Sequence, residues 1–452
     1  MARTRTDRGV GGVCTRKPHV NMEIKQRMST RFAWLLGVVV LVSIGLLVAC
    51  GTTYNSSSDG LVVIGSQGSA LLQAFSFSLA SGRISAVYNS TPSTSNSTCV
   101  LPGLPSSIVL DPAGAFAYAI LNSSTLCPNS TTGIQAFKVN SDGTMTAVGS
   151  VTTDPNPVAL HMDSAGKFLF VAEGVGGGVD VYAIGSGASL TAVPGTYAFN
   201  LPLGFQTPNF VALAATPTVF PGTGLNGQQN AVCSTNGNNA PTLEYLYVAD
   251  EQNNVVWEFG VNTSTGALQN PPGYSQVQSF VADSQPAGVS VDPCNRFVYV
   301  SNYLSNKISA YTICNGTSSQ STTCPATAGG DGSLIAVSGS PFSISGGGAS
   351  GPGPLLVDPF GNSLYVLDLD SNMISIFHVA PVSGSLTPGT PAVVATGAKP
   401  TSMAIRSDDS WLFVTNFTAG TLSQYSVTPA SGGLSPQPAI TTDTYPWGVA
   451  VK

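Results

Sequence analysis

From residue 61 onward the chain places apolar residues at alternate positions in short runs broken by Gly, Pro, Asn, Asp and Ser. A spacing of two is the mark of half-buried strands, and helical periodicity is absent after the N-terminal segment. Four strand patterns recur in a fixed order. The first is a proline followed at the third and fifth positions by apolar residues: Pro105/Ile108/Leu110, Pro157/Leu160/Met162, Pro208/Val211/Leu213, Pro286/Val289/Val291, Pro352/Leu355/Val357, Pro400/Met403/Ile405 and Pro446/Val449/Val451. The second reads FAYAIL, FLFVAE, YLYVAD, FVYVSN, SLYVLD and WLFVTN, with LVVIGS at Leu61 to Ser66 as a further copy. The third carries an aromatic residue two positions before an apolar one, as in Phe75/Phe77, Tyr182/Ile184 and Tyr425/Val427. The fourth is marked by one apolar residue after a glycine turn, such as Met145, Leu268 or Leu386. Inner and second strands are often joined by turns such as Asp111-Pro112-Ala113-Gly114 and Asp358-Pro359-Phe360-Gly361. There proline presets φ and aspartate caps the backbone.

Seven copies of a four-strand unit predict an all-β fold, a seven-bladed β-propeller of four-stranded blades. The chain ends on an inner strand, Pro446 to Lys452, and begins after residue 60 on second, third and fourth strands with no inner strand before them. One blade is therefore expected to be assembled from both ends. Trp447 to Val451 should pair with Leu61 to Ile64, closing the ring and removing a free sheet edge.

Val300-Ser301-Asn302, Val414-Thr415-Asn416 and Val248-Ala249-Asp250, each followed by a turn and an aromatic strand such as Lys307 to Tyr311, resemble the YVTN-type and lactonase-family seven-bladed propellers. That family includes 6-phosphogluconolactonases and carboxymuconate-cyclising enzymes. The resemblance spans roughly residues 60 to 452. It implies the fold strongly and the activity weakly, because one fold carries many functions.

The N-terminus supplies an address. Phe32 to Ala49 is uncharged, follows Arg27 and Arg31, and ends in Leu47-Val48-Ala49-Cys50-Gly51. A basic start, an apolar run and small residues before a cut describe a secretory signal. The cysteine after Leu-Val-Ala resembles a bacterial lipobox, so residues 1–49 are expected to be a leader and signal peptide, with Met28 an alternative start. Cys50 is then the lipidated N-terminus, residues 50–60 a tether and residues 61–452 the propeller. The competing reading is an uncleaved membrane helix. Either reading holds the propeller at a membrane, outside the cytoplasm, in a bacterial cell envelope.

Charged residues make up 8% of the chain, and eight of the sixteen Lys and Arg lie at or before Arg31. The remainder holds eight basic against twenty acidic residues, a balance of minus twelve. Such a surface disfavours nucleic acid and phosphorylated anions, and leaves neutral glycans, cations or an envelope protein as partners. Apart from Cys14 and Cys50, six cysteines remain, and an even number in an exported chain suggests disulfides. Placing strand connections on the two faces of a propeller suggests the pairs Cys99–Cys127, Cys233–Cys294 and Cys314–Cys324.

Candidate chemistry is thin. Family lactonases commonly place a histidine after the proline that opens an inner strand. The matching residues here are Ser106, Val158, Asn209, Ala287, Gly353, Thr401 and Trp447. Past the leader only His161 and His378 remain; both read as strand residues, and Lys167 and Arg296 as structural cations before second strands. No catalytic residue is assigned. The candidate ligand ring is the channel mouth, where second strands end and inner strands begin: Glu173, Asn209, Asp250, Asn302, Asp368, Asn416 and Trp447. These could hydrogen-bond a polyol, stack a ring on Trp447 or hold a divalent cation; no other cofactor is expected. The alternative is that the acids and amides cap their own turns. Asp368-x-Asp370-x-Asn372 is a fragment of a calcium loop without its glycine and distal glutamate. The expected function is a non-catalytic binding or scaffold propeller, with a lactonase-type hydrolase or muconate-cyclase-like enzyme as the alternative.

Overall fold

A computed structural model describes residues 59–79, 81–87, 100–127, 130–154, 156–174, 178–194, 205–217, 244–314, 324, 331–344, 348–429 and 431–452. The leader, the candidate lipobox at Cys50, Cys99 and Cys233 lie outside these residues. Among the described residues no helix is long and apolar enough to cross a membrane.

Seven antiparallel sheets form, one for each predicted blade. Blade one takes Asp59–Ser66, Leu71–Ser78 and Ile84–Ala86 from the start of the ring and Pro446–Val451 from its end. The closing register pairs Val62 with Val451, Val63 with Ala450 and Ile64 with Val449. Blades two to seven begin at the inner strands Leu104–Leu110, Pro157–Met162, Phe210–Ala215, Pro286–Val291, Pro352–Val357 and Pro400–Ile405. Each inner strand touches the next around the ring, and Pro400–Ile405 of blade seven touches Pro446–Val451 of blade one. The circuit is closed: the last strand supplies the inner strand of blade one, and each inner strand is the channel-side edge of its own sheet.

Alternate residues of the second strands explain the core. In Phe297–Asn302 every residue is buried, and Phe297 and Tyr299 pack against blade six while Val298 and Val300 pack against blade four. Each sheet thus buries both faces against its neighbours, and the core is a series of interblade clusters rather than one centre.

The fourth strand departs from the simple pattern. It is one ten-residue strand in blade six, Leu386–Ala395, but two pieces in blade four, Leu268–Gln269 and Gln278–Val281, and two in blade five, Leu334–Ala336 and Phe342–Ser343. Pro271, Pro272 and Gly273 fall in the first break and Pro341 beside the second. Proline offers no N–H to the ladder, which confines it to edges and interruptions.

Two repeated devices fix the blades to each other. Tyrosines of the second strands reach forward: Tyr247, Tyr299 and Tyr365 donate hydroxyl hydrogen bonds to the carbonyls of Gly332, Gly384 and Gly432, at 2.6, 3.0 and 2.9 Å. These glycines have φ of 79°, 70° and 61°, and a Cβ on Gly384 would meet the Phe297 ring at 2.5 Å. At the other face the residue before an inner proline lies in the left-handed region: Gln285 (61°), Gly351 (67°), Lys399 (55°) and Tyr445 (58°). Three of their N–H groups donate to the side chains of Asn254, Asn306 and Asn372 in the preceding blade, which stand at φ of 56°, 54° and 57°. Asparagine tolerates that conformation better than other side chains.

Cys314 and Cys324 form a disulfide. Cys127 and Cys294 are also disulfide-bonded, while their expected partners Cys99 and Cys233 lie outside the described residues.

Candidate functional site

The inner strands surround a central channel. In six blades the register slips just after the inner proline, as between Pro157 and Ala159, Pro286 and Gly288, and Pro400 and Ser402; in blade four it slips after Phe210, two residues past Pro208. The residue following the proline is therefore released from the ladder. A bulge of this kind re-aims a side chain. Ser106, Val158, Ala287, Thr401 and Trp447 line a cavity of about 350 Å³ at this end, together with Ser107, Ser402, Leu355 and other inner-strand residues. No charged side chain lines it.

The acids and amides expected to line this mouth do not line it. Asp250, Asn302, Asp368 and Asn416 are fully buried and Glu173 nearly so. Each faces the first residue of its inner strand: Glu173, Asn302, Asp368 and Asn416 face Pro157, Pro286, Pro352 and Pro400, and Asp250 faces Phe210. Their side chains turn into the blade and hold the backbone that approaches the inner strand. Asn302 accepts from the Asp283 N–H at 3.1 Å, Asn416 from Gly397 at 3.0 Å, Asp250 from Asn209 at 3.1 Å and Glu173 from Asn156 at 3.2 Å. Seven residues further on, the third strand completes the bond network. Ser309, Ser375 and Ser423 pair with Asn302, Asp368 and Asn416 at 3.0, 2.7 and 2.9 Å, and Trp257 Nε1 donates to Asp250 at 2.9 Å. These residues are structural caps. Asn209, half-buried, binds Glu251. The calcium-loop fragment also disperses: Asp370 accepts from the Tyr303 hydroxyl and Asn372 from the Lys399 N–H. Among the described residues no group of three or more His, Cys, Asp or Glu could hold a metal ion.

Trp447 is where the sequence placed it, 37% exposed at the mouth. It stands edge-on to Phe417 with ring centroids 5.4 Å apart, while Phe417 stacks on Tyr445 at 4.8 Å and lies under the Lys399 ammonium at 5.6 Å. Sequence reading missed Phe417, Tyr445 and Lys399. Their only signal is adjacency: Phe417 follows the cap Asn416, and Lys399 and Tyr445 precede the prolines of blades seven and one.

At the other end of the channel a cavity of about 380 Å³ is lined by His161, Met162, Asp111, Ser407 and Lys452, with Ile108 shared between the two cavities. Burial pushes the His161 imidazole down to about 4, so it is neutral at pH 7. His378 instead sits on a third strand, opposite Ser363 and Thr387, away from the channel.

A closed ring of seven blades around a channel floored by one neutral imidazole defines a propeller whose candidate chemistry is central. The chain belongs to the lactonase family of seven-bladed β-propellers, whose model matches residues 94–206, 237–332 and 334–449. A candidate 6-phosphogluconolactonase from Bacteroides fragilis superposes with a TM-score of 0.63 at 18% identity, over 88% of this chain and 99% of that one. The periplasmic gluconolactonase of Pseudomonas aeruginosa gives 0.63 at 17% identity, over 87% and 99%. A protein from Lactobacillus plantarum gives 0.64 at 15%, over 87% and 99%. At these identities the likeness establishes the fold. No curated protein matches the chain.

Proposed function

We propose that this propeller is a lactonase-type hydrolase acting on an uncharged sugar lactone within the central channel. The observation that carries the reading is the coincidence of the lactonase family's ring with a single neutral imidazole on the channel wall. His161 would take a proton from the attacking water as the lactone carbonyl becomes tetrahedral, with Lys452 in the same cavity as the cation available to the oxyanion. As the oxyanion collapses and the ring C–O bond breaks, the imidazolium would return that proton to the leaving oxygen, giving the open hydroxy acid. An imidazole held near 4 is a weak base, so turnover is expected to be slow. A phosphorylated lactone fits poorly, since the cavity at the mouth has no cation on its wall and the chain past its leader is strongly acidic.

A second reading, a non-catalytic glycan-binding propeller, is favoured by the mouth itself. The released positions carry hydroxyl, aliphatic and indole groups but no acid or base, and Trp447 offers a face for stacking. One assay separates the two. Hydrolysis of gluconolactone above the spontaneous rate, falling roughly a hundredfold in His161→Ala, supports the enzyme. No hydrolysis, with sugar binding lost in Trp447→Ala, supports the binding module.

We also infer that the chain is exported and tethered through Cys50. The disulfides at Cys314–Cys324, Cys127 and Cys294 support this, because such bonds persist in oxidising compartments. Cys50→Ser is expected to move the protein from the membrane to the soluble fraction; retention on the membrane would refute lipidation.

A further inference from the structure

The turns joining inner and second strands lie at the channel end opposite the mouth, and neighbouring blades meet there through polar groups. Between blades five and six this contact is made by Arg296. Its guanidinium grips Asp292 of its own turn at 2.5 and 2.9 Å and donates to the carbonyls of Gly361 and Pro381 in blade six at 3.0 and 2.9 Å. One guanidinium thus satisfies the buried Asp292 carboxylate and two carbonyls of the neighbouring blade.

At the next junction, between blades six and seven, the matching acid has no arginine in its own turn, and Arg296 reaches it only through space. Asp358 matches Asp292, and Tyr365 matches Tyr299 in reaching the glycine of the following blade. The residue in the place of Arg296 is the exposed Asn362. Two further departures from the repeat converge on the same spot. Ser363 replaces the aromatic ring that Phe297 and Trp411 supply in sister blades, and Asp409 replaces the residue that is Gly361 or Asn295 elsewhere. Asp358 and Asp409 are 0% exposed and Ser363 is 1% exposed.

Asp358 Oδ1 accepts the N–H groups of Phe360 and Asn362, but Oδ2 has no hydrogen-bond partner. Both carboxyl oxygens of Asp409 and the Ser363 hydroxyl are also without partners. The Ser363 hydroxyl lies within hydrogen-bonding reach of the Asp358 carboxyl and the Tyr365 hydroxyl. The nearby Arg406 is committed elsewhere, to Asp408, Ser410 and the Lys452 carbonyl. The Asp409 carboxyl is thus buried within electrostatic range of Asp358 with neither oxygen satisfied, a costly arrangement in a protein interior.

We propose that this junction binds calcium, held by the carboxylates of Asp358 and Asp409 and the hydroxyl of Ser363, in the role that the Arg296 guanidinium plays one junction earlier. The donor set is oxygen alone, which suits a hard cation and excludes a zinc site built on His or Cys. Two carboxylates balance the charge of a divalent ion. Backbone carbonyls and water complete a coordination shell of about six to eight oxygens.

The test uses the purified chain stripped with chelator. Calcium at about a hundredfold excess over its Kd is expected to raise Tm by about 3 °C, with one site by titration calorimetry. Magnesium, which demands a tighter octahedral shell, should do less. Asp409→Gly restores the sister residue at φ 56°, which glycine adopts freely, so the variant should fold but lose the calcium response. Ser363→Ala should fold and bind calcium more weakly. An unaltered response in Asp409→Gly would overturn the assignment to this junction, and an equal response to sodium over choline chloride would overturn the divalent ion. A wild-type chain indifferent to calcium, made more stable without metal by Asp409→Gly, would show that Asp409 is a neutral buried acid and end the proposal.

Discussion

Arg296→Ala is expected to destabilise the propeller by about 3–5 kcal/mol, the range for removing one partner from a buried ion pair. The guanidinium is 3% exposed and joins two blades through Asp292, Gly361 and Pro381. Its loss leaves the fully buried Asp292 carboxylate without a counter-charge and two carbonyls without a donor. Arg296→Lys should recover only part of the loss, because an ammonium cannot reproduce the planar fork that spans acid and carbonyl together. Replacing Asp292 as well should recover part of the loss, since most of the penalty lies in the charge left unpaired. Urea denaturation of the three variants checks this. A loss under about 1 kcal/mol for Arg296→Ala, the range of exposed pairs, would mean that the junction is solvated in solution.

The blades were legible in the sequence because a half-buried strand writes its burial with a period of two. Val289, buried at the third position after Pro286, and Tyr311, packed against blade four, follow from that rule alone. The split first blade was legible for a topological reason: an inner strand ending at Val451 has no other edge to join than that of Val62 to Ile64. The functional end was less legible. Position along a strand tells where a residue stands but not which way its side chain turns. Asp250, Asn302, Asp368 and Asn416 stand at the mouth and turn inward, because the backbone entering each inner strand presents N–H groups that need acceptors. The same bulge that aims Trp447 at the channel leaves these caps behind it in the sheet.

Departures from the repeat carried more information than its agreements. Glu244 stands where sister blades have Lys167 and Arg296, and Glu258 where they have Ala310, Ile376 or Val181. Both side chains are buried, and the Glu258 oxygens have no hydrogen-bond partner. Comparing copies position by position would have exposed these acids, since an acid among alanines or lysines needs a local explanation.

Those acids give the molecule an expected preference for mildly acidic conditions. Desolvation, followed by repulsion from Asp180, raises Glu173 to about 8, and the Asn156 N–H only partly opposes it. Desolvation and then Asp163 raise Glu244 to about 8, and desolvation raises Asp368 to about 7. Glu258, buried beside Asp331, is raised well above its ordinary value. In each case the folded chain keeps a proton that the unfolded chain releases near pH 4 to 4.5, so the stability they contribute is lost as pH rises through the folded values. His161 works in the opposite sense: its folded value near 4 makes stability increase between pH 4 and 6.5. One imidazole against four carboxyls leaves a net decline from about pH 4.5 onward, which the imidazole moderates only up to about pH 6.5 and which continues to about 8. A single carboxyl raised to about 8 accounts for about 3 kcal/mol by pH 7, an upper value that local hydration would reduce. Tm is therefore expected to be highest at or below about pH 4.5 and several degrees lower at pH 8.5. Glu244→Gln, which keeps the shape and removes the ionisation, should flatten part of that slope. A Tm that climbs between pH 6.5 and 8.5 in calorimetry would mean that these carboxyls are ionised and solvated within the fold.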